Sequence, residues 1–156
     1  MAASPNLPAP DAVARLLRDL LGKAVTQKKS TGVPTTAKTY TATYVDDTGK
    51  LVGLAICDVP LAACAGAALA LIPAGAAAEA TRAGQLPAEM FDNLREVLNV
   101  IASLFVGTHV RLREVMPPSA AVPTPVATLM ARPGARLDLD LAVAGYSGGR
   151  LSFMLS

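Results

Sequence analysis

Asp92, Glu96, Asn99 and Ser103 stand four, three and four residues apart in the stretch MFDNLREVLNVIASLFV, from Met90 to Val106. At about 100° per residue, that spacing sets all four in one strip along a helix. The opposite side is an apolar arc of Phe91, Leu94, Leu98, Ile101 and Phe105, widened by Val97, Val100 and Leu104. Such a strip has chemical uses: a carboxylate pairs with a cation, while a carboxamide donates and accepts at once and can hold a water against a second group. Any half-buried helix also shows solvent a polar face, and Ser103 needs no other account. Asn99 is less easily explained that way, because Asn is a poor mid-helix residue that exposure alone does not favour over Lys or Gln.

The rest of the chain offers little competing chemistry. It has no Gly-rich phosphate loop and no HExxH. His109 is the only histidine, and no local motif supplies it with triad partners, so a structural or neutral role is expected. Asp46 with Asp47 reads as turn chemistry, and Asp138 with Asp140 as the solvent face of a strand; neither pair predicts a metal site. Cys57 and Cys64, with six residues between them, fit neither a zinc site nor a disulfide framework and are expected to be buried thiols in a reducing cytoplasm. A net charge of +2 from 14 basic and 12 acidic residues is too slight to indicate nucleic acid, and Lys23, Lys28 and Lys29 read as a solvated loop. Val59 to Ala78 carries no charge over twenty residues, but its apolar content is mostly Ala and it contains Pro60, Gly66, Pro73 and Gly75, so a membrane span is rejected.

The elements that must position the strip follow from periodicity. With 52% hydrophobic and 17% charged residues, the 156-residue chain suits one domain with an Ala, Leu and Val core, preceded by a loose, proline-bearing leader over residues 1–10. Asp11 to Leu21 is an amphipathic helix stopped by Gly22, and Thr35 to Val45 and Leu51 to Cys57 form a hairpin about the turn Asp46–Gly49. An Ala-rich helix runs from Leu61 to Ile72, and residues 76–85 connect it, with some helix of their own, to the strip-bearing segment. Pro87 suits the first turn of that helix, Glu89 its positive start, and Gly107 the position just past its end. Alternation predicts strands at Thr108–Val115, Arg136–Val143 and Arg150–Leu155, with Val126–Met130 ambiguous between strand and turn. The terminal strand is a candidate sheet edge for pairing with a second chain. The order implies an α+β fold with a mainly antiparallel sheet and helices packed on one side.

Asp92, Glu96 and Asn99 match Asp/Ser-x3-Glu-x2-Asn, the active-site pattern of the CheC, CheX and FliY phosphatases of bacterial chemotaxis. From about residue 11 to 156, the first helix, the hairpin ending in GLAICD, the Ala-rich helix, FDNLREVLNVIASLF and the later strands resemble the CheX branch. DAVARLLRDLL in the first helix lacks Glu-x2-Asn, so there is one motif copy, as in CheX. The family's proline, twenty-three positions beyond the Asn, falls on Val122 here, and Pro123 follows it in what reads as a shifted loop near the site.

The resemblance implies a phosphatase that accelerates hydrolysis of the phospho-aspartate of a CheY-like response regulator. It implies Asn99 as the residue that positions the water, Glu96 as the partner of the regulator's lysine, and Asp92 in support. A phospho-aspartate is a reactive acyl phosphate, and the regulator brings its own Mg2+ and cationic side chain, so no cofactor or metal is expected on this chain. The partners implied are a phosphorylated receiver domain and a second copy of the chain in a homodimer formed through the sheets, with no nucleic acid and no membrane. A non-catalytic CheX-like binding module for a receiver domain or other signalling partner is the alternative, since a fold can outlive its chemistry.

Overall fold

The computed structural model describes residues 5–34 and 37–156. Five helices and six strands follow in the order α1 (Pro10–Leu21), β1 (Val25–Lys29), β2 (Thr39–Val45), β3 (Leu51–Asp58), α2 (Val59–Ala68), α3 (Ala74–Ala83), α4 (Ala88–Ile101), β4 (Arg111–Met116), α5 (Thr124–Ala131), β5 (Ala135–Val143) and β6 (Gly149–Leu155). The strands make one antiparallel sheet, ordered β1-β5-β6-β3-β2-β4. This is the expected α+β architecture.

β3 is apolar on both alternating faces because both faces are covered. On one side, Val13 and Leu17 of α1, nearly all of α2, and Leu94, Leu98 and Ile101 of α4 join Ala55, Cys57, Leu151 and Phe153 in the main core. On the other, Val126 and Leu129 of α5 cover Leu54, Ile56 and Met154. The helical layer thus has a small counterpart across the sheet, where the sequence left Val126–Met130 open between strand and turn. Pro123 and Pro125 do not prevent this helix: Pro123 is its N-cap and Pro125 lies in its first turn, where a backbone N–H has no helical partner to lose.

Other boundaries move for local reasons. The predicted polar loop from Lys23 to Pro34 contains β1, whose Val25 is buried opposite Val143 while Lys28 and Lys29 remain exposed. Thr35 and Thr36 of the predicted second strand lie outside the described residues; the strand itself begins at Thr39. The Ala-rich helix ends at Ala68 rather than Ile72, and Leu71 takes a left-handed conformation at φ 57° in the link to α3. No helix among the described residues is long and apolar enough to cross a membrane. The third predicted strand starts at Arg111, three residues late.

Two corrections concern the whole arrangement. β6 is not an edge: it lies between β5 and β3, so the edges are β1 and β4. Residues 5–9 of the predicted loose leader are packed against the fold: Pro5 and Pro8 are buried. Asn6 pairs with Val106, with N–H···O distances of 2.7 and 3.3 Å.

Candidate functional site

α4 is built to sit close to its neighbours and to face outward on one side. Met90, Leu94, Val97, Leu98 and Ile101 are buried, whereas Asp92, Glu96, Asn99 and Ser103 are all exposed, so the strip lies where its spacing put it. The predicted helix to Val106 stops at Ile101, and a 3-10 turn, Ala102–Leu104, carries the chain on to an extended Phe105. Close packing beneath α4 comes from Gly66 of α2, where a Cβ would stand 2.5 Å from the Met90 carbonyl oxygen. Asn93, beside the strip, donates from Nδ2 to the Gly66 carbonyl at 2.9 Å. This second contact ties α4 to α2 from a residue that the strip pattern passed over; its one sequence signal is a polar side chain next to the apolar arc.

Strand β2 holds both ends of α4 from below. The Tyr40 hydroxyl accepts from Leu86 N–H at 2.7 Å, just ahead of the Pro87 N-cap, and the Tyr44 hydroxyl donates to the Leu98 carbonyl at 2.7 Å. Burial first, and the nearby Cys57 second, push the Tyr44 phenol well above its ordinary pKa, which keeps it a donor. Tyr44 also packs on Phe105 at 4.9 Å between ring centroids, and Phe105 meets Phe153 edge-on at 5.9 Å.

Between α4 and edge strand β4 runs an open groove of about 530 Å³. Asp92, Arg95, Glu96 and Asn99 line it from the helix, and Leu112, Arg113, Glu114 and Val115 from the strand. All three residues of the motif therefore open onto one cleft. Their side chains make no hydrogen bond or ion pair among the described residues, so their donors and acceptors are available to a partner. Arg95 is steadied over the Phe91 ring, 5.1 Å from its centroid.

The remaining candidates fall elsewhere. Pro123 does not line the groove; it caps α5, whose apolar side packs on the opposite face of the sheet. Ser103, expected to be only solvated, turns its hydroxyl back to the Val100 carbonyl at 2.8 Å. His109 is exposed and pairs with Asp47 at 2.6 Å. Asp46 closes its turn by accepting from Thr48 N–H, Thr48 Oγ1 and Lys50 N–H, which lowers its pKa. Asp138 is not the purely solvent-facing residue expected: it is half-buried and accepts from Ser152 Oγ at 2.6 Å and Arg136 Nε at 2.9 Å. Cys57 and Cys64 are buried free thiols.

No protein-family model and no curated protein sequence matches the chain. Solved structures do. A chain of the FliM–SpeE complex of H. pylori superposes with a TM-score of 0.61 at 9% identity, over 94% of this chain and 80% of that one. The FliM middle domain of Vibro alginolyticus gives a TM-score of 0.54 at 13% identity, over 93% and 89%. A chemotaxis protein CheX of Desulfovibrio desulfuricans gives 0.46 at 10% identity, over 94% and 95%. The first two establish the fold alone: this chain is built like the FliM middle domain.

Proposed function

We propose that the chain is a CheX-like phosphatase, acting in the cytoplasm, that accelerates hydrolysis of the phospho-aspartate of a CheY-like response regulator. The observation that carries the reading is the groove onto which Asp92, Glu96 and Asn99 all open, their side chains without a partner among the described residues. Glu96 pairs with the regulator's lysine and sets the docking angle. Asn99, one turn on, accepts a hydrogen bond from a water through its carbonyl and donates from its NH2 to a phosphoryl oxygen, holding that water in line with the bond to be broken. The water oxygen bonds to phosphorus, the aspartyl oxygen leaves as carboxylate, and inorganic phosphate is released. Charge on the phosphoryl oxygens is met by the regulator's own Mg2+ and lysine, so this chain contributes geometry and not a metal. Asp92, a turn before Glu96, supports the docking face.

A second reading has two observations in its favour. Pro123, the counterpart of the family's proline, stands away from the groove, and a chain of this fold occurs in a FliM–SpeE complex. On that reading the chain is a non-catalytic module that binds a receiver domain or other signalling partner. The decay of the phosphorylated cognate receiver separates the two. A phosphatase shortens phosphoryl lifetime, and Asn99→Ala lowers the stimulated rate by on the order of 10² while the fold is retained. Binding with an unchanged lifetime selects the module instead.

A further inference from the structure

Tyr40 and Tyr44, four residues apart on β2, point to the same face of the sheet and are both fully buried. Each spends its hydroxyl on α4: Tyr40 at the Leu86 N–H before the helix, Tyr44 at the Leu98 carbonyl near its end. In a continuous α-helix the Leu98 carbonyl would take the Ala102 N–H. Here that N–H turns to the Asn99 carbonyl and the chain tightens into the 3-10 turn. Tyr44 thus occupies the acceptor that the helix gives up, one residue before Asn99. The same strand pairs with β4, with Tyr44 opposite Leu112 and Thr43 opposite Glu114, so β2 carries both walls of the groove.

We propose that Tyr44, with Tyr40 at the other end of α4, is a positioning residue for Asn99: its hydroxyl sets the α-to-3-10 switch and thereby the direction in which the Asn99 carboxamide enters the groove. This rests on the phosphatase reading for its catalytic consequence, and on the hydrogen bonds alone for its structural one.

The test is Tyr44→Phe, which deletes the hydroxyl and keeps the ring against Phe105. Its matched control is Tyr146→Phe, which also removes a tyrosine-to-carbonyl hydrogen bond, of 2.5 Å to Ile72, but in the link between α2 and α3, away from the groove. Both variants are expected to fold and to lose similar thermal stability. At saturating phosphorylated receiver, Tyr44→Phe should turn over about tenfold more slowly with receiver affinity unchanged, because a displaced Asn99 disturbs the water and not the Glu96 contact. Tyr146→Phe should turn over at the parental rate. Amide hydrogen exchange over residues 100–104 should accelerate in Tyr44→Phe and not in Tyr146→Phe. Parental turnover in Tyr44→Phe, or an equal loss in both variants, overturns the assignment. Should the parent protein leave receiver lifetime unchanged, the phosphatase reading falls, and exchange alone judges the clamp: faster exchange in Tyr44→Phe supports it and unaltered exchange overturns it.

Discussion

Glu96 and Asn99 share a face but divide the work, and that division is measurable. Glu96 is exposed and has no hydrogen-bond or ion-pair partner among the described residues, so its proposed worth lies in the pair it makes with a cation on the regulator. A charge pair at an accessible interface contributes to affinity and approach more than to the chemical step. Glu96→Ala is therefore expected to weaken receiver binding by about tenfold and to recover much of the stimulated rate when the receiver is supplied in excess. Titration of binding and of phosphoryl decay on one preparation checks both halves; normal affinity with a normal rate would remove Glu96 from the interface. Asn99 should show the converse pattern, with loss of rate at retained affinity.

At the scale of elements, the active face depends on how closely α4 can lie on α2. Gly66 leaves room for the Met90 carbonyl, and its own carbonyl takes the Asn93 amide. Gly66→Ala places a methyl where backbone already stands, so α4 must lift or tilt. Gly66→Ala is expected to cost about 1–3 kcal/mol of stability and to lower the dephosphorylation rate well beyond what the lost folded fraction explains. Urea unfolding paired with the decay assay checks this; a folded variant with the parental rate would show that α4's seating on α2 does not govern the site. The polar strip itself was readable because exposure on a helix follows a local period, which Asp92, Glu96 and Asn99 obey. What holds the strip was less readable. Tyr40 and Tyr44 read as ordinary strand residues, and only their distant partners Leu86 and Leu98 reveal the clamp. β1 pairs with β5 across more than a hundred residues and has a single buried apolar side chain, so no local alternation announces it. α5 was masked by prolines that stop a strand but suit the start of a helix.

The sheet order decides which surfaces of the whole molecule remain open to a second copy. Chain order suggested that the last strand would be outermost, but β5 pairs on one side of β6 and β3 on the other, so that strand has no free backbone edge. A homodimer built by strand pairing must use β1 or β4. Both carry exposed cations, Lys28 and Lys29 on β1 and Arg111 and Arg113 on β4, and such side chains oppose edge-to-edge addition. In a register centred on Leu112, antiparallel pairing of β4 with its copy would also set Arg111 opposite Arg113 beside the groove, a cost that added salt screens. The chain is accordingly expected to scatter light as a 15.9 kDa monomer at low ionic strength, with any association through these edges strengthening as salt is raised. A particle of twice that mass at low salt, unaffected by ionic strength, would place the contact on a surface other than the sheet edges. If a salt-promoted dimer did use β4, it would cover the groove wall that includes Arg113 and Leu112. Receiver dephosphorylation per chain would then fall as protein concentration rises, whereas pairing through β1, at the far side of the sheet, would leave it constant.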